Sequence, residues 1–193
     1  SGMNPETVYN RILEKKDNPL APVARLKLAM WRLWEKKYAE AVREGEQFQK
    51  DYPDHDLLAK AREVMDRALQ DWLAADLAQG NYEAVLDVWN AHSGIFEGRE
   101  LSSGLRLTLA TAQARTGHPE EALALAEPIV FSLPRDEYSE PGMDLVLSTL
   151  VEMQRWEDVA RLAERVRPWK LGRDRQRQVD YAAALAQENL LRP

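Results

Sequence analysis

Four stretches of this chain superpose without a gap: KKYAEAVREGEQF from residue 36, GNYEAVLDVWNAH from 80, GHPEEALALAEPI from 117 and QRWEDVARLAERV from 154. The third residue of each is Tyr38, Tyr82, Pro119 or Trp156, and three residues later stand Ala41, Val85, Ala122 and Val159. The starts lie 44, 37 and 37 residues apart. A merely helical chain has no reason to repeat its turns in register. Recurrence at one period implies small units that each bury too little apolar surface alone and are stable only when stacked.

Between the turns the apolar residues recur at helical spacing, and no run alternates as a strand would. Asn4 followed by Pro5 predicts a first helix start, since Asn caps and proline suits the first helical position. Asp17-Asn18-Pro19 ends that helix after about Lys16. Later breakers leave about ten helices, grouped as an N-terminal helix over 4–19, hairpins over 20–54, 55–98, 102–135 and 139–170, and a capping helix over 173–191. The stretch from Asp56 to Gln79 holds no breaker and predicts one helix about two turns longer than its counterparts, which accounts for the interval of 44. Ala41, Ala122, Ala126 and Ala163 are expected where helices cross, Tyr38, Tyr82 and Trp156 in the wedges between hairpins, and Ala184 at the small crossing position of the last helix. Residues 1–3, with Ser1-Gly2 ahead of Met3, read as a cloning remnant outside the folded region, which leaves room for a missing anchor or neighbouring domain.

The turn with its G-x-aromatic-x-x-A/V pattern, the small or aliphatic Ala29, Leu73, Ala110 and Leu147 in the preceding helices, and the closing Pro53 and Pro134 resemble the tetratricopeptide repeat family over about residues 20–190. The period of about 37 exceeds the family's usual length of about 34. Lys36 and Gln154 replace the turn glycine, and Pro119 replaces the aromatic residue. The resemblance implies an all-α, right-handed solenoid of antiparallel helix hairpins, used as a protein-interaction scaffold within a larger assembly. In bacteria, related repeats serve envelope, export or polysaccharide-secretion machinery. The family's clamp for acidic chaperone tails is missing, because its lysine, asparagine and arginine places hold Leu26, Met30, Gln70 and Ala74.

Composition narrows the function classes. With 32 acidic against 26 basic side chains, the net charge of −6 disfavours general nucleic-acid binding. The absence of cysteine excludes disulfides and thiolate metal sites and fits a cytoplasmic or a periplasmic protein equally. No apolar run reaches the length of a membrane span. His55, His92 and His118 stand in no ligand spacing, and no phosphate loop, dinucleotide fingerprint or nucleophile elbow occurs. Glu120-Glu121 and Glu157-Asp158 sit at helix starts, where carboxylates complement the dipole. No catalytic residue, metal or cofactor is expected, and the chain reads as a non-enzyme.

Two surfaces remain as candidates. Projecting the family's concave face onto the first helix of each hairpin gives Val23, Leu26, Met30, Leu33 and Trp34, then Arg67, Gln70, Asp71 and Ala74, then Leu107, Thr111 and Arg115. Asp144, Ser148 and Glu152 follow, and Tyr181 and Leu185 close the row. Its Met- and Trp-rich end suits an apolar helix or extended segment of a protein partner. The competing reading buries Trp31 and Trp34 beneath the first helix. The second candidate is the basic run of Arg155 to Arg177, including Arg165, Arg167, Lys170, Arg173, Arg175 and Arg177, with eight basic side chains against four acidic ones. It offers paired donors to an oxyanion or acidic surface, or is simply a set of solvated helix ends. A small-ligand or enzymatic pocket between hairpins is the alternative function class.

Overall fold

The computed structural model describes residues 4–15 and 18–191, and these form ten α-helices and no strand. They are α1 Pro5–Leu13, α2 Ala21–Trp34, α3 Tyr38–Asp51, α4 Leu58–Ala78, α5 Tyr82–His92, α6 Ser103–Arg115, α7 Pro119–Phe131, α8 Ser139–Glu152, α9 Trp156–Val166 and α10 Arg173–Leu190, with a 3₁₀ turn at Ser93–Phe96. The Asn4 side chain accepts the Glu6 N–H at 3.1 Å and caps α1. α1 ends at Leu13, before the expected end near Lys16; residues 1–3, read above as a cloning remnant, and Lys16 and Asp17 lie outside the described residues.

The recurring turn is one backbone structure used four times. Lys36, Gly80, Gly117 and Gln154 all take positive φ, at 59°, 77°, 82° and 56°. After each, the next N–H returns to the carbonyl five residues back: Lys37 to Arg32, Asn81 to Asp76, His118 to Gln113 and Arg155 to Leu150, at 2.9 to 3.0 Å. This is the Schellman closure of a helix end, in which the left-handed residue lets the last orphan carbonyls find donors. Lys36 and Gln154 therefore occupy the glycine's conformation despite their Cβ atoms. The helix after each turn buries the predicted residue: Ala41, Val85 and Val159 are fully buried, and Ala122 is 1% exposed.

Contacts divide the chain into two compact units, Ser1–Asn81 with Asp87–Arg99, and Tyr82–Leu86 with Glu100–Pro193. In the first unit α1 touches α2, α2 touches α3 and α4, and α3 touches α4. Its core includes Leu26, Ala29, Phe48, Ala61 and Val64, with Leu33, Tyr52, Leu57 and Leu58 packed around them. Gly45 sets the approach of α3 to α4, because a Cβ there would stand 2.8 Å from that of Met65. In the second unit α6 touches α7 and α8, α7 touches α8, α8 touches α9 and α10, and α9 touches α10. Met143, Val146, Leu150, Val159, Leu162 and Val166 lie in its core. So within each unit both chain neighbours and next-but-one helices meet.

The last helix corrects one expectation of register. Ala184 is exposed, and α10 packs through Val179, Ala182 and Ala186 instead. The interval of 37 from Leu147 lands on the outer face, because the loop before α10 is not one of the four repeated turns and sets a different rotation.

Candidate functional site

Helix α2 is pinned on its inner side and bare along one outer line. Asn18 accepts the Leu20 N–H through its side chain at 3.0 Å and the Ala21 N–H through its carbonyl at 2.9 Å, which starts the helix. Ala24, Leu28 and Ala29 face inward and are at most 2% exposed. Two arginines then fix the helix in rotation. Arg25 reaches Glu44 of α3 at 2.8 Å and Asp51 at 3.5 Å. Arg32 reaches Glu6 of α1 at 2.6 Å and Glu40 of α3 at 3.0 Å. Both guanidiniums are largely buried, so these pairs lie in a lower dielectric than surface pairs and resist displacement more strongly.

With those sides occupied, Leu20, Val23, Met30 and Trp34 are left at 56%, 41%, 39% and 73% exposure. Exposed Lys27 sits among them. Trp31 is half-buried, with its ring centroid 4.9 Å from that of Trp34. The first helix therefore does not bury both tryptophans. A large apolar ring standing three-quarters in water, in line with three further exposed apolar side chains, is a surface that a partner can cover with net gain.

The predicted row divides accordingly. Met30 and Trp34 stand on this line. Leu26, at 6% exposure, belongs to the core, and half-buried Leu33 packs against the same core. Their register places them to one side of the line, where neighbouring helices press. Arg67 is exposed but held by Asp71 at 2.8 Å, and Gln70 is half-buried beside it. In the second unit Leu107 is half-buried, Arg115 is exposed at the end of α6, and Tyr181 is 71% exposed on α10. Leu20 and Lys27 were missed. Stepping back from Trp34 by four, three, four and three residues reaches Met30, Lys27, Val23 and Leu20 and would have found both.

Part of the basic run pairs with carboxylates. Arg175 donates to Glu140 at 2.6 Å and Asp144 at 2.8 Å, both on α8. Arg167 holds Glu164 at 2.6 Å, and Arg177 lies 3.8 Å from Asp174. Arg155 bridges Asp158 and Glu120, and Arg161 also binds Asp158. Arg165 lies over the Phe131 ring at 4.2 Å. Of the six patch residues Arg167, Arg175 and Arg177 meet carboxylates and Arg165 a ring, while Lys170 and Arg173 carry no such contact among the described residues.

A third region is an open groove of about 1090 Å³ in the first unit, lined by residues including Glu46, Arg62, Met65, Asp66, His92 and Arg99. Two pairs of its charges close on one another. Arg99 forks onto Asp66 at 2.5 and 3.0 Å, and His92 meets Glu46 at 2.9 Å. Among the described residues no three acidic or histidine side chains are gathered to hold a metal ion, and no helix is long and apolar enough to cross a membrane. No protein-family model matches the chain, and no curated protein is detectably similar to it.

Proposed function

We propose that this chain is a tetratricopeptide-like repeat module that acts by binding a partner protein and not by catalysis. Its helix pairs are read as antiparallel hairpins stacked with a right-handed sense. The fourfold Schellman turn and the contacts between next-but-one helices within each unit support that reading. The observation that carries the binding role is the exposed line Leu20, Val23, Met30 and Trp34 on a helix whose other faces are pinned. Exposed apolar side chains of this size, here two on either side of Lys27, gain about 25 cal/mol for each Å² that a partner covers.

Photocrosslinking in the source cell tests it. A benzophenone amino acid is placed at position 34 and, as a control, at exposed Gln178. The expected outcome is a discrete adduct of this chain with another protein from position 34, absent from position 178 and lost when Met30→Ser is added. A chain that gives no adduct from position 34 would overturn the binding role of this surface.

A further inference from the structure

The exposed residues of α2 are spaced three, four, three and four apart, the a and d seats of two heptads. At about 100° per residue they fall within an arc of about 80°, and over 15 positions the line is about 21 Å long. This is a narrow ridge, since the apolar face of a helix that lies in a bilayer surface or a core spans about 100° or more. One row of side chains about 21 Å long matches the edge of one helix laid alongside it. The middle seat is Lys27, with Val23 and Met30 before and after it. That cation discriminates between occupants. If two copies met through this line in register, parallel or antiparallel, Lys27 would face Lys27 in the middle of an apolar contact, where like charges repel.

We propose that the α2 ridge is one half of a two-heptad coiled coil, and that its occupant is an amphipathic helix of another protein with apolar a and d residues and an Asp or Glu facing Lys27. This rests on the binding role proposed above and adds the shape and charge of the partner. The ridge supplies contact area through Leu20, Met30 and Trp34. Lys27 sets the register, as a lone polar seat in an apolar seam does, because only one alignment pairs it.

The test uses the full chain and two synthetic helical peptides of three heptads, identical but for Glu or Lys at the middle a seat, each kept below its self-association concentration. Fluorescence anisotropy is read against the parent chain, Lys27→Glu and Trp34→Ala, each confirmed as folded by circular dichroism. The Glu peptide is expected to bind the parent at least about 10-fold more tightly than the Lys peptide. The order reverses with Lys27→Glu, and Trp34→Ala weakens the favoured pair about 10-fold. Equal binding of the two peptides, binding of neither, or an order unchanged by Lys27→Glu overturns the proposal. So does a dimer of the parent in sedimentation that Trp34→Ala abolishes, or flotation with anionic phospholipid vesicles that depends on Trp34. A position-34 cross-link that survives alongside indifferent peptides removes the acidic helix and keeps the binding role; loss of the cross-link removes the binding role itself.

Discussion

The ridge of α2 and the basic run of α9 and α10 are both helix surfaces singled out by composition, and the fold treats them oppositely. On α2 Arg25 and Arg32 turn inward to pin the helix, and Leu20, Val23, Met30 and Trp34 are left outside with Lys27. On α9 and α10 the apolar residues turn inward and the arginines find carboxylates, several of them on α7 and α8. Counting charges or hydrophobic residues along a segment does not reveal an available surface. Availability depends on what the neighbouring helices bring, and here they bring carboxylates to Arg155 and Arg175 and leave Trp34 bare.

That contrast can be attacked first within α2 itself. Leu26→Ala should destabilise the chain by about 3 kcal/mol, the sum of lost burial and a cavity, while Trp34→Ala should change stability by less than about 0.5 kcal/mol. Urea unfolding of the two variants measures both, and comparable losses would place Trp34 in the core and dissolve the ridge. A smaller effect belongs to the second unit at Asp136. The Ser103 hydroxyl first, and then the Tyr138 and Ser139 N–H groups, hold its carboxyl below the usual carboxylate range. A depressed value contributes stability above the unfolded pKa that is lost as pH falls through the folded one. Asp136→Ala should therefore lower stability only slightly at neutral pH, since the exposed carboxylate is screened by solvent, and the difference from the parent should vanish in acid, as thermal melts between pH 7 and pH 2 would show. A difference that persists at low pH would assign the loss to something other than the ionised carboxylate.

The mildest prediction concerns what the two regions share. Gln154→Gly and Lys36→Gly remove the strain of a side chain at positive φ and should each stabilise by about 0.5 kcal/mol, once the added backbone freedom of glycine is set against the relief. Equal gains at the two sites would show the turns to be energetically as well as geometrically equivalent; destabilisation at one would show that its side chain holds the turn in another way.

Much of the helix layout was readable because proline, glycine and the repeated turns punctuate it. The four turns could be aligned even where glycine was absent, since Tyr38 and Trp156 kept the register around Lys36 and Gln154. Rotation of a helix about its own axis was harder to read. Leu26, Met30, Leu33 and Trp34 are all apolar, and which of them faces water depends on Arg25 and Arg32 gripping carboxylates from α1 and α3. Ala184 failed for the same reason, as one alanine among four in Tyr181–Leu185 and its neighbours gives no phase. Three of the carboxylates that meet the basic run, Glu120, Glu140 and Asp144, lie 31 to 35 residues earlier in sequence than their arginines, so a count along the run does not include them.

The length of α4 carries a consequence for how such a chain can change. It has 21 residues where α2 and α8 have 14 each, so the excess is seven. Seven residues advance a helix by almost two full rotations, with a drift of only about 20°. An insertion of that size lengthens a rod while returning every later side chain to nearly its former heading, so Ala68, Leu69 and Leu73 still point into the core. An insertion of five would swing them by about 140° and turn them to water. For α4 a whole heptad is therefore the step by which this helix gains reach while keeping the heading of its later side chains.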